Sequence, residues 1–341
     1  MRRASNRHSP IFTSPFALMA GIAIAKIRES AMVNYSLAKY NPLEKIITFD
    51  DFNHGHNGWL DLRPNFVKSG FAPHSEEIDL IHWGPTMLSS ATFPMMGTHG
   101  AMSGSRSLKL TTRANSAPID QPPAPGSMGL AIKRMAVPGS LHLLQVEAWF
   151  TYTPEPSVSG IGDRDVRAFG CFVDLQSQGN RWMPGVRYVN SADGEQIKRW
   201  QYFRVSEGVD HRRWNYGHDG WHKVGVDGQW YGQRQADGAG DGFQWIEGGD
   251  QDLVANEADD KINWMYLRLT IDVSRREYVE LQCMDKIMDL RGKQPTLAPE
   301  YKGITGLLNP VFFIETGANR RVFLYLDSVV ISTDGYVNPA K

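Results

Sequence analysis

Cysteine is scarce in this chain, which has only Cys171 and Cys283. Both residues lie in segments where apolar side chains alternate with others, and a buried free thiol is common in such a setting. A disulfide between them remains open. Cysteine usage therefore does not fix the redox compartment of the protein.

The chain also has no surplus of charge of either sign. Its formal net charge is −1 at pH 7, and its isoelectric point is near 6.8. A nucleic-acid or anionic-membrane partner would favour a clearly basic protein. We therefore expect neither partner.

Long apolar runs are missing as well. The longest N-terminal run, Phe16–Ala25, is too short to cross a bilayer as a helix. Residues 1–31 have two interpretations: a signal peptide cleaved after Ala25, or an over-extended start that precedes a native Met32. We favour the second, because Ser14-Pro15 and a long polar basic stretch precede the run. It predicts a cytoplasmic location, and residues 1–31 are left out of the fold.

Familiar catalytic signatures are absent from the sequence. It contains no Gly-x-Ser-x-Gly elbow, phosphate-binding loop, His-Glu-x-x-His or Cys-x-x-Cys motif. The Glu-x-Asp-x-x-Glu strand of the sandwich-fold glucanases is missing too. No reaction can be assigned from a motif.

No segment of twelve residues shows a clear helical stripe, whereas alternation typical of strands recurs from residue 45 onward. Leu144, Val146, Ala148 and Phe150 occupy one face of a predicted strand. The pattern predicts an all-β protein, a two-sheet antiparallel sandwich. We expect one domain over 32–341.

A long Trp- and Gly-rich insert interrupts this pattern at about 190–258. Within it, over residues 206–256, four Asp-Gly pairs mark successive turns, beginning at Asp219-Gly220. Tryptophan and tyrosine are interleaved there with basic residues. Because long loops inside a compact domain are usually functional, this insert is the strongest pointer to a binding site.

The two ends of the folded region resemble the ends of calcium-carrying jelly-roll carbohydrate-binding modules. One end is Phe49-Asp-Asp-Phe-Asn53 with Gly55, Gly58 and Trp59, and the other is the strand 322–332. The strands at 268–272 and 278–282 are similar to those of the concanavalin A-like and laminin G-like sandwiches. The whole chain also resembles bacterial proteins of unassigned function built on that sandwich. The resemblance implies a jelly roll and a structural Ca²⁺ held by Asp327 with Asp50, Asp51 or both, a donor set that suits a hard cation. Alternatively, Asp327 caps a backbone amide or pairs with an arginine.

We expect a carbohydrate ligand on the concave sheet, beneath the insert. Indole rings stack on the apolar faces of sugars, while amide and charged groups bind their hydroxyls. The predicted ligand-binding residues are Gln145, Trp149, Tyr278, Gln282, Trp182, Arg187, Trp214, Trp221 and Trp230. In the alternative interpretation, these aromatics only pack the long loop in place.

Two other functions remain open. The first is a glycoside hydrolase or polysaccharide lyase on the same frame, with Glu147 and Glu280 as the catalytic carboxylates. The second is a laminin G-like protein-interaction domain, which would present a broad flat surface. The sequence does not predict the oligomeric state.

Overall fold

The computed structural model describes residues 37–62, 83–85, 87–90, 100–112, 128–137, 140–155, 162–177, 180–192, 194–204, 223–224, 230–231, 243–255, 263–295, 297–298 and 306–337. The described residues form an all-β fold. The strands are β1 (Lys45–Asp50), β2 (Trp59–Leu62), β3 (Trp83–Pro85), β4 (Met87–Ser90), β5 (Arg106–Thr111), β6 (Met128–Lys133), β7 (Met135–Ala136), β8 (Ser140–Leu141), β9 (Leu143–Pro154), β10 (Val166–Ser177), β11 (Asn180–Trp182), β12 (Gly185–Ala192), β13 (Glu195–Phe203), β14 (Lys223–Val224), β15 (Trp230–Tyr231), β16 (Phe243–Asp250), β17 (Met265–Asp272), β18 (Glu277–Cys283), β19 (Lys286–Asp289), β20 (Leu297–Ala298), β21 (Leu307–Thr316), β22 (Val322–Thr333) and β23 (Tyr336–Val337).

Two large antiparallel sheets make up the sandwich. The first sheet has the order β19-β18-β17-β9-β22-β5-β4, with β1 also paired to β22. The second has the order β16-β13-β12-β10-β21-β6-β2-β3. Three short strands pair with it outside this order: β11 with β10, β20 with β11, and β7 with β21. The predicted two-sheet antiparallel sandwich is confirmed.

Alternation along the long strands builds the core between the sheets. Leu144, Val146, Ala148 and Phe150 of β9 lie inside it, as predicted. An aromatic group from both sheets fills one part of this core, and the ring of Phe169 lies 5.2 Å from that of Phe150. Fully burying one such side chain contributes about 2 kcal/mol.

The first and last long strands of the folded region pair directly. Strand β1 runs antiparallel to β22, with Lys45 opposite Thr333 and Asp50 opposite Val329. The first and last strands of the folded region are therefore neighbours, as expected. Their acidic side chains make contacts other than those expected.

Residues 37–44, named here the N-terminal strap, lie across the outer face of the first sheet. Side chains of that face bind the backbone of the strap: Gln145 Nε2 donates to Asn41 O at 2.7 Å, and Trp149 Nε1 donates to Lys39 O at 3.3 Å. The amide N–H of Leu43 donates to Ser332 Oγ at 2.9 Å. The strap thereby covers the middle of this face.

The predicted insert, at about 190–258, contains strands of the second sheet at both ends. Strands β12 and β13 occupy its first part, and β16 occupies part of its end. The connection between Phe203 and Phe243 includes the short hairpin β14–β15. Within the described residues, no helix is long and apolar enough to span a membrane.

Candidate functional site

A row of polar and aromatic side chains crosses the outer face of the second sheet. Arg187 of β12 is opposite Gln201 of β13, and Gln201 is opposite Trp245 of β16. Trp200 and Tyr202, on either side of Gln201, belong to the core between the sheets, so alternation directs Gln201 outward. We call Arg187, Gln201 and Trp245 the polar row.

The guanidinium group of Arg187 is held from two directions. Its Nε donates to Gln201 Oε1 at 2.6 Å, and its central carbon lies 3.9 Å from the centre of the Phe243 ring. Arg187 is buried, and a desolvated cation over an aromatic ring gains up to about 2 kcal/mol. The position and plane of this cation are therefore fixed before any ligand arrives.

Glycine continues the row past Arg187. Gly170 of β10 is opposite both Arg187 and Phe313. A Cβ atom at this position would lie only 2.1 Å from the carbonyl oxygen of Val186. Only glycine fits here, so no side chain projects from the sheet beside Arg187.

An apolar band lies next to the polar row on the same face. Its buried members are Leu130, Ile132, Phe172, Met183, Phe203, Phe243, Val311 and Phe313. The face thus combines apolar surface with a few placed polar groups. This composition is typical of a small-molecule binding site.

Two ion pairs flank the polar row. Arg181 holds Asp174 with two hydrogen bonds of 2.8 and 2.9 Å, and both side chains are buried. Arg167 Nε lies 3.2 Å from Glu315 Oε1, which is also buried. Each carboxylate on this part of the face therefore has its own arginine partner.

Two buried donors near the row have no hydrogen-bond partner among the described residues. These are Gln201 Nε2 and Arg199 Nε. Arg199 otherwise donates from Nη2 to Ile246 O at 3.2 Å and lies 5.2 Å from the Trp245 ring. Its Nε is 3.8 Å from Asp250 Oδ1, which is beyond hydrogen-bond distance.

The middle part of the long insert begins and ends beside this row. Phe203 and Phe243 are opposite each other on β13 and β16, and the chain between them forms this middle part. Phe243 is also the ring beneath Arg187. The insert is thus attached to the second sheet at the site.

The residues expected to bind sugar from β9 lie on the other sheet. Gln145 and Trp149 point to the outer face of the first sheet, where they bind the strap. They do not share a face with Arg187, because β9 belongs to the first sheet and β12 to the second. The expectation that all these residues meet beneath the insert is therefore corrected.

Glu147, one of the two expected catalytic carboxylates, is fully buried beneath the strap. Its Oε1 accepts from the Asn41 amide at 2.8 Å and from the Tyr266 hydroxyl at 2.5 Å. Burial raises the pKa of Glu147, and the hydrogen bonds from Tyr266 and Asn41 oppose that rise. The side chain anchors the strap.

Glu280, the second expected carboxylate, lies two strands away from Glu147. Arg268 of β17 stands between them, opposite both Glu147 and Gln282. Its Nη2 donates to Glu280 Oε1. An arginine thus occupies the middle of the expected catalytic pair, and Gln282 Nε2 donates to the backbone oxygen of Met284 at 2.8 Å.

Tyr278 and Trp182, both expected to contact ligand, are core residues. The single proton of the Tyr278 hydroxyl is shared between the carbonyl oxygens of Phe203, at 2.9 Å, and Gly185, at 3.1 Å, and its oxygen accepts from the Gly185 amide. A register shift between Thr270 and Ile271 turns Tyr278 inward, away from the face of Glu280. Neither ring is open to an external ligand.

The carboxylates expected to hold Ca²⁺ are each bound by other donors. Asp327 accepts from Lys39 Nζ at 2.5 Å and from the Ser103 amide at 2.8 Å, on the strap side of the first sheet. Asp50 accepts from Lys133 Nζ at 2.7 Å and from Trp59 Nε1 at 2.9 Å. These partner sets share no residue, so each carboxylate has its own ammonium group and its own hydrogen-bond donors.

Asp51 caps the Asn53 amide at 3.1 Å. No group of three or more His, Cys, Asp or Glu residues suited to a metal occurs in the described ranges. The arrangement of these side chains does not fit a shared Ca²⁺ site, since an ion there would have to displace ammonium groups. The calcium site remains a prediction from the resemblance.

Three predicted ligand tryptophans remain predictions. Trp214 and Trp221 lie outside the described residues, and Trp230 is described only as part of strand β15. Among the predicted ligand residues whose side chains the structure describes, Arg187 alone lies on the outer face of the second sheet. It is also the centre of the polar row.

Sequence reasoning missed Gln201, Arg199 and Trp245 as a group. The signal was present, because Arg199 and Gln201 alternate with the aromatic Trp200 and Tyr202. That alternation is typical of a strand with one polar face. The glycine- and aspartate-rich composition of the insert instead predicts a loop that includes Trp245.

Residues 27–335 match a family described as "Domain of unknown function (DUF6772)". The match covers most of the chain, which therefore belongs to this family. No curated protein matches the chain.

Several solved structures share the general architecture at low identity. A winged bean acidic lectin complexed with methyl-α-D-galactose is 8% identical, with a TM-score of 0.35 over 67% of this chain and 86% of its own. A legume lectin-like domain from Entamoeba histolytica is 10% identical, with a TM-score of 0.34 over 73% of this chain and 90% of its own. The alginate lyase Aly36B is 11% identical, with a TM-score of 0.35 over 82% of this chain and 99% of its own. At these scores, the functional conclusion depends on the residues of the chain itself.

Proposed function

We propose that this member of the DUF6772 family recognises a carbohydrate on the outer face of its second sheet. The ligand lies along the polar row formed by Arg187, Gln201 and Trp245. The alignment of these three side chains on neighbouring strands is the observation that carries the proposal.

The chemistry of the row suits a sugar ring. An indole offers a flat apolar surface for the C–H face of the ring, and Trp245 supplies it at one end of the row. An amide and a guanidinium group are planar hydrogen-bonding groups, and Gln201 and Arg187 supply them next along the row. Sugars need both kinds of contact side by side.

The row is also organised in advance. Phe243 and Gln201 fix the guanidinium of Arg187, and Gln201 is itself fully buried. Binding then loses little side-chain entropy, which favours affinity for a small polar ligand. A merely solvated surface would leave such side chains exposed and free to rotate.

The insert supplies further candidate ligand residues. Phe203 and Phe243, between which its middle part runs, adjoin the row. Trp214, Trp221 and Trp230 belong to the insert, and we propose that their indole rings contribute to sugar binding.

A glycan array followed by calorimetry on the strongest ligands tests the proposal. Trp245→Ala should weaken binding about thirtyfold, the ~2 kcal/mol typical of a buried aromatic contact. Arg187→Lys should weaken it about tenfold, because lysine lacks the planar fork. Arg291→Lys is the matched control, since Arg291 is exposed in the turn after β19 and pairs with Asp289.

Blank arrays for both neutral and acidic oligosaccharides would refute carbohydrate recognition. Binding that survives Trp245→Ala and Arg187→Lys unchanged would place the ligand elsewhere on the protein.

An enzyme on the same frame is the second candidate. Burial raises the pKa of Glu147 in the direction that a general acid requires, but the strap covers this side chain and must move before a substrate can reach it. Incubation with a panel of polysaccharides, read by new reducing ends and by the ultraviolet absorbance of unsaturated products, tests for hydrolysis and elimination. Any activity that Glu147→Gln retains would remove this residue from the mechanism.

A further inference from the structure

The N-terminal strap belongs to neither sheet, and side chains of the first sheet hold it mainly by its backbone. Gln145 and Trp149 donate to its carbonyl oxygens, and Glu147 accepts from one of its amides. Leu37 and Tyr40 add two apolar side chains to a small cluster on this face. Segments with few buried apolar contacts open at a lower free-energy cost than core strands do.

Glu147 is a buried ionisable group beneath the strap. Its Oε1 accepts from the Asn41 amide and the Tyr266 hydroxyl, whereas its Oε2 is buried and has no hydrogen-bond partner among the described residues. Burying an ionised carboxylate costs far more free energy than burying a neutral carboxyl group. The closed strap therefore favours the protonated form, and burial raises the pKa of Glu147 accordingly.

The cations on this face do not cancel the cost of burying an ionised Glu147. Lys39 of the strap is paired with Asp327 at 2.5 Å, and Arg268 of β17 is paired with Glu280. Arg268 opposes the rise in the pKa of Glu147, but burial is the larger effect. Both cations thus have carboxylate partners of their own.

Two tyrosines also face Glu147, Tyr40 from the strap and Tyr266 from β17. Burial raises the pKa of both hydroxyl groups, so neither ionises near neutral pH. Among these groups, Glu147 is the one whose proton the closed strap retains and neutral solvent would remove.

We propose that Glu147 is a pH-sensitive latch: the strap stays closed over the first sheet while Glu147 is protonated, and it opens as Glu147 ionises. Opening uncovers Gln145 and Trp149, the amide and the indole that bind the closed strap. The latch lies on the first sheet and is independent of the sugar site proposed on the second.

The direction of the pH effect follows from the two states of the strap. In the open state, solvent returns the pKa of Glu147 toward its ordinary value of about 4.3. Opening therefore becomes more favourable as the pH rises from that value to the pKa of the closed form. Above the pKa of the closed form, Glu147 is ionised in both states and the opening equilibrium no longer changes with pH.

Hydrogen exchange of the strap amides in the intact protein tests the latch. The amides of Asn41 and Leu43 donate to side chains of the sheet, so their protection from exchange reports the closed strap. After correction for the intrinsic exchange rate at each pH, their opening constant should rise about fivefold between pH 4 and pH 8. Core amides of β9 serve as the reference for global unfolding.

Glu147→Gln is the decisive variant. It keeps the shape of the side chain and an acceptor for Asn41 but cannot ionise. Protection of the strap amides should then no longer depend on pH, and at pH 8 it should equal that of the native strap near pH 4. Glu44→Gln is the matched control, because Glu44 is exposed on the strap itself and its substitution removes the same charge.

Tyr266→Phe keeps the test decisive if Glu147→Gln fails to fold. It removes a hydroxyl that donates to Oε1 and lowers the pKa of Glu147. The pH at which the strap amides lose protection should therefore move upward. A role in packing alone would change their protection equally at every pH.

Three results would overturn the latch. The first is protection of the strap amides that stays constant from pH 4 to pH 8, or that still depends on pH in Glu147→Gln. The second is a pH dependence that disappears in Glu44→Gln, and the third is exchange of the strap amides only together with the core amides of β9. None of them bears on carbohydrate binding by the second sheet, which the glycan array tests separately.

Discussion

Phe203 and Phe243 stand opposite each other on β13 and β16, with ring centres 5.4 Å apart. They close the base of the insert, and Phe243 supports the Arg187 guanidinium at the same time. One aromatic side chain therefore connects the insert, the second sheet and the polar row.

Removing this ring should cost both stability and binding. Phe243→Ala should lower the free energy of unfolding by ~3 kcal/mol, because it leaves a cavity in a buried cluster and removes the ring beneath Arg187. Urea denaturation measures this change. Val254→Ala, at an exposed position, should shift stability by less than about 0.5 kcal/mol. Equal effects of the two substitutions would contradict the role given to Phe243.

Glu147 should make stability depend on pH in a defined direction. Burial raises its pKa in the folded state, so the folded protein binds its proton more tightly than the unfolded chain does. The stabilisation that protonated Glu147 gives the folded state is fully present below the unfolded pKa of about 4.3. It is lost as the pH rises through the pKa of Glu147 in the folded protein.

Glu147→Gln should therefore stabilise the protein at pH 7, by ~1 kcal/mol, and leave it nearly unchanged near pH 4. Glutamine retains an acceptor oxygen for Asn41 and Tyr266, which bind Oε1 in the native protein. Chemical denaturation at several pH values measures the difference. A difference that stays constant from pH 4 to pH 7 would contradict this account.

The partly buried side chain of Lys109 should make stability depend on pH in the alkaline range as well. Burial, with a contribution from Arg321, lowers the pKa of Lys109 to about 8, and its ammonium group lies 4.4 Å from the Phe323 ring centre. The unfolded chain holds this proton up to about pH 10.4, so stability should rise with pH between about 8 and 10.

Lys109→Met should remove the cost of burying the charge. We expect a gain of ~1 kcal/mol at pH 7, after allowance for solvent screening, which shrinks as the pH approaches 10. Thermal unfolding in parallel buffers measures it. A loss of stability at pH 7 would mean that the cation–ring contact outweighs the burial.

The ion pairs of Lys39 and Lys133 with the two carboxylates expected to bind Ca²⁺ predict how the protein responds to metal removal. Lys39 and Lys133 neutralise Asp327 and Asp50. A chelator should therefore leave the melting temperature unchanged, and Lys133→Met should destabilise by ~3 kcal/mol because it leaves a buried carboxylate uncompensated. A marked drop in melting temperature with chelator, reversed by Ca²⁺, would instead support the calcium site expected from the resemblance.

Local patterns predicted the sheets well and the site only in part. Alternation in β9 assigned Leu144 and Gln145 to opposite faces, as the structure has them. Which sheet carries the insert depends on the pairing of β13 with β16, a contact between distant segments that no local pattern reveals. The sequence predicts Arg187 as a ligand residue, but it does not predict that Gln201 and Trp245 lie beside Arg187 on neighbouring strands.

Two further errors had specific physical causes. Simple alternation predicts that the Tyr278 side chain points outward. A register shift between β18 and β17 turns this side chain into the core instead. Glu147 was expected to be open to ligand, whereas Asn41, more than a hundred residues earlier, covers it. Both effects are tertiary and lie beyond a reading of periodicity.

The most direct measurement is the response of individual tryptophan indole N–H resonances to a bound oligosaccharide. Trp245 belongs to the polar row, while Trp149 lies on the first sheet and donates to the strap. Our account predicts a shift of the Trp245 signal with ligand and a Trp149 signal that stays in place. A saccharide that moves the Trp149 signal and leaves that of Trp245 unchanged would contradict it.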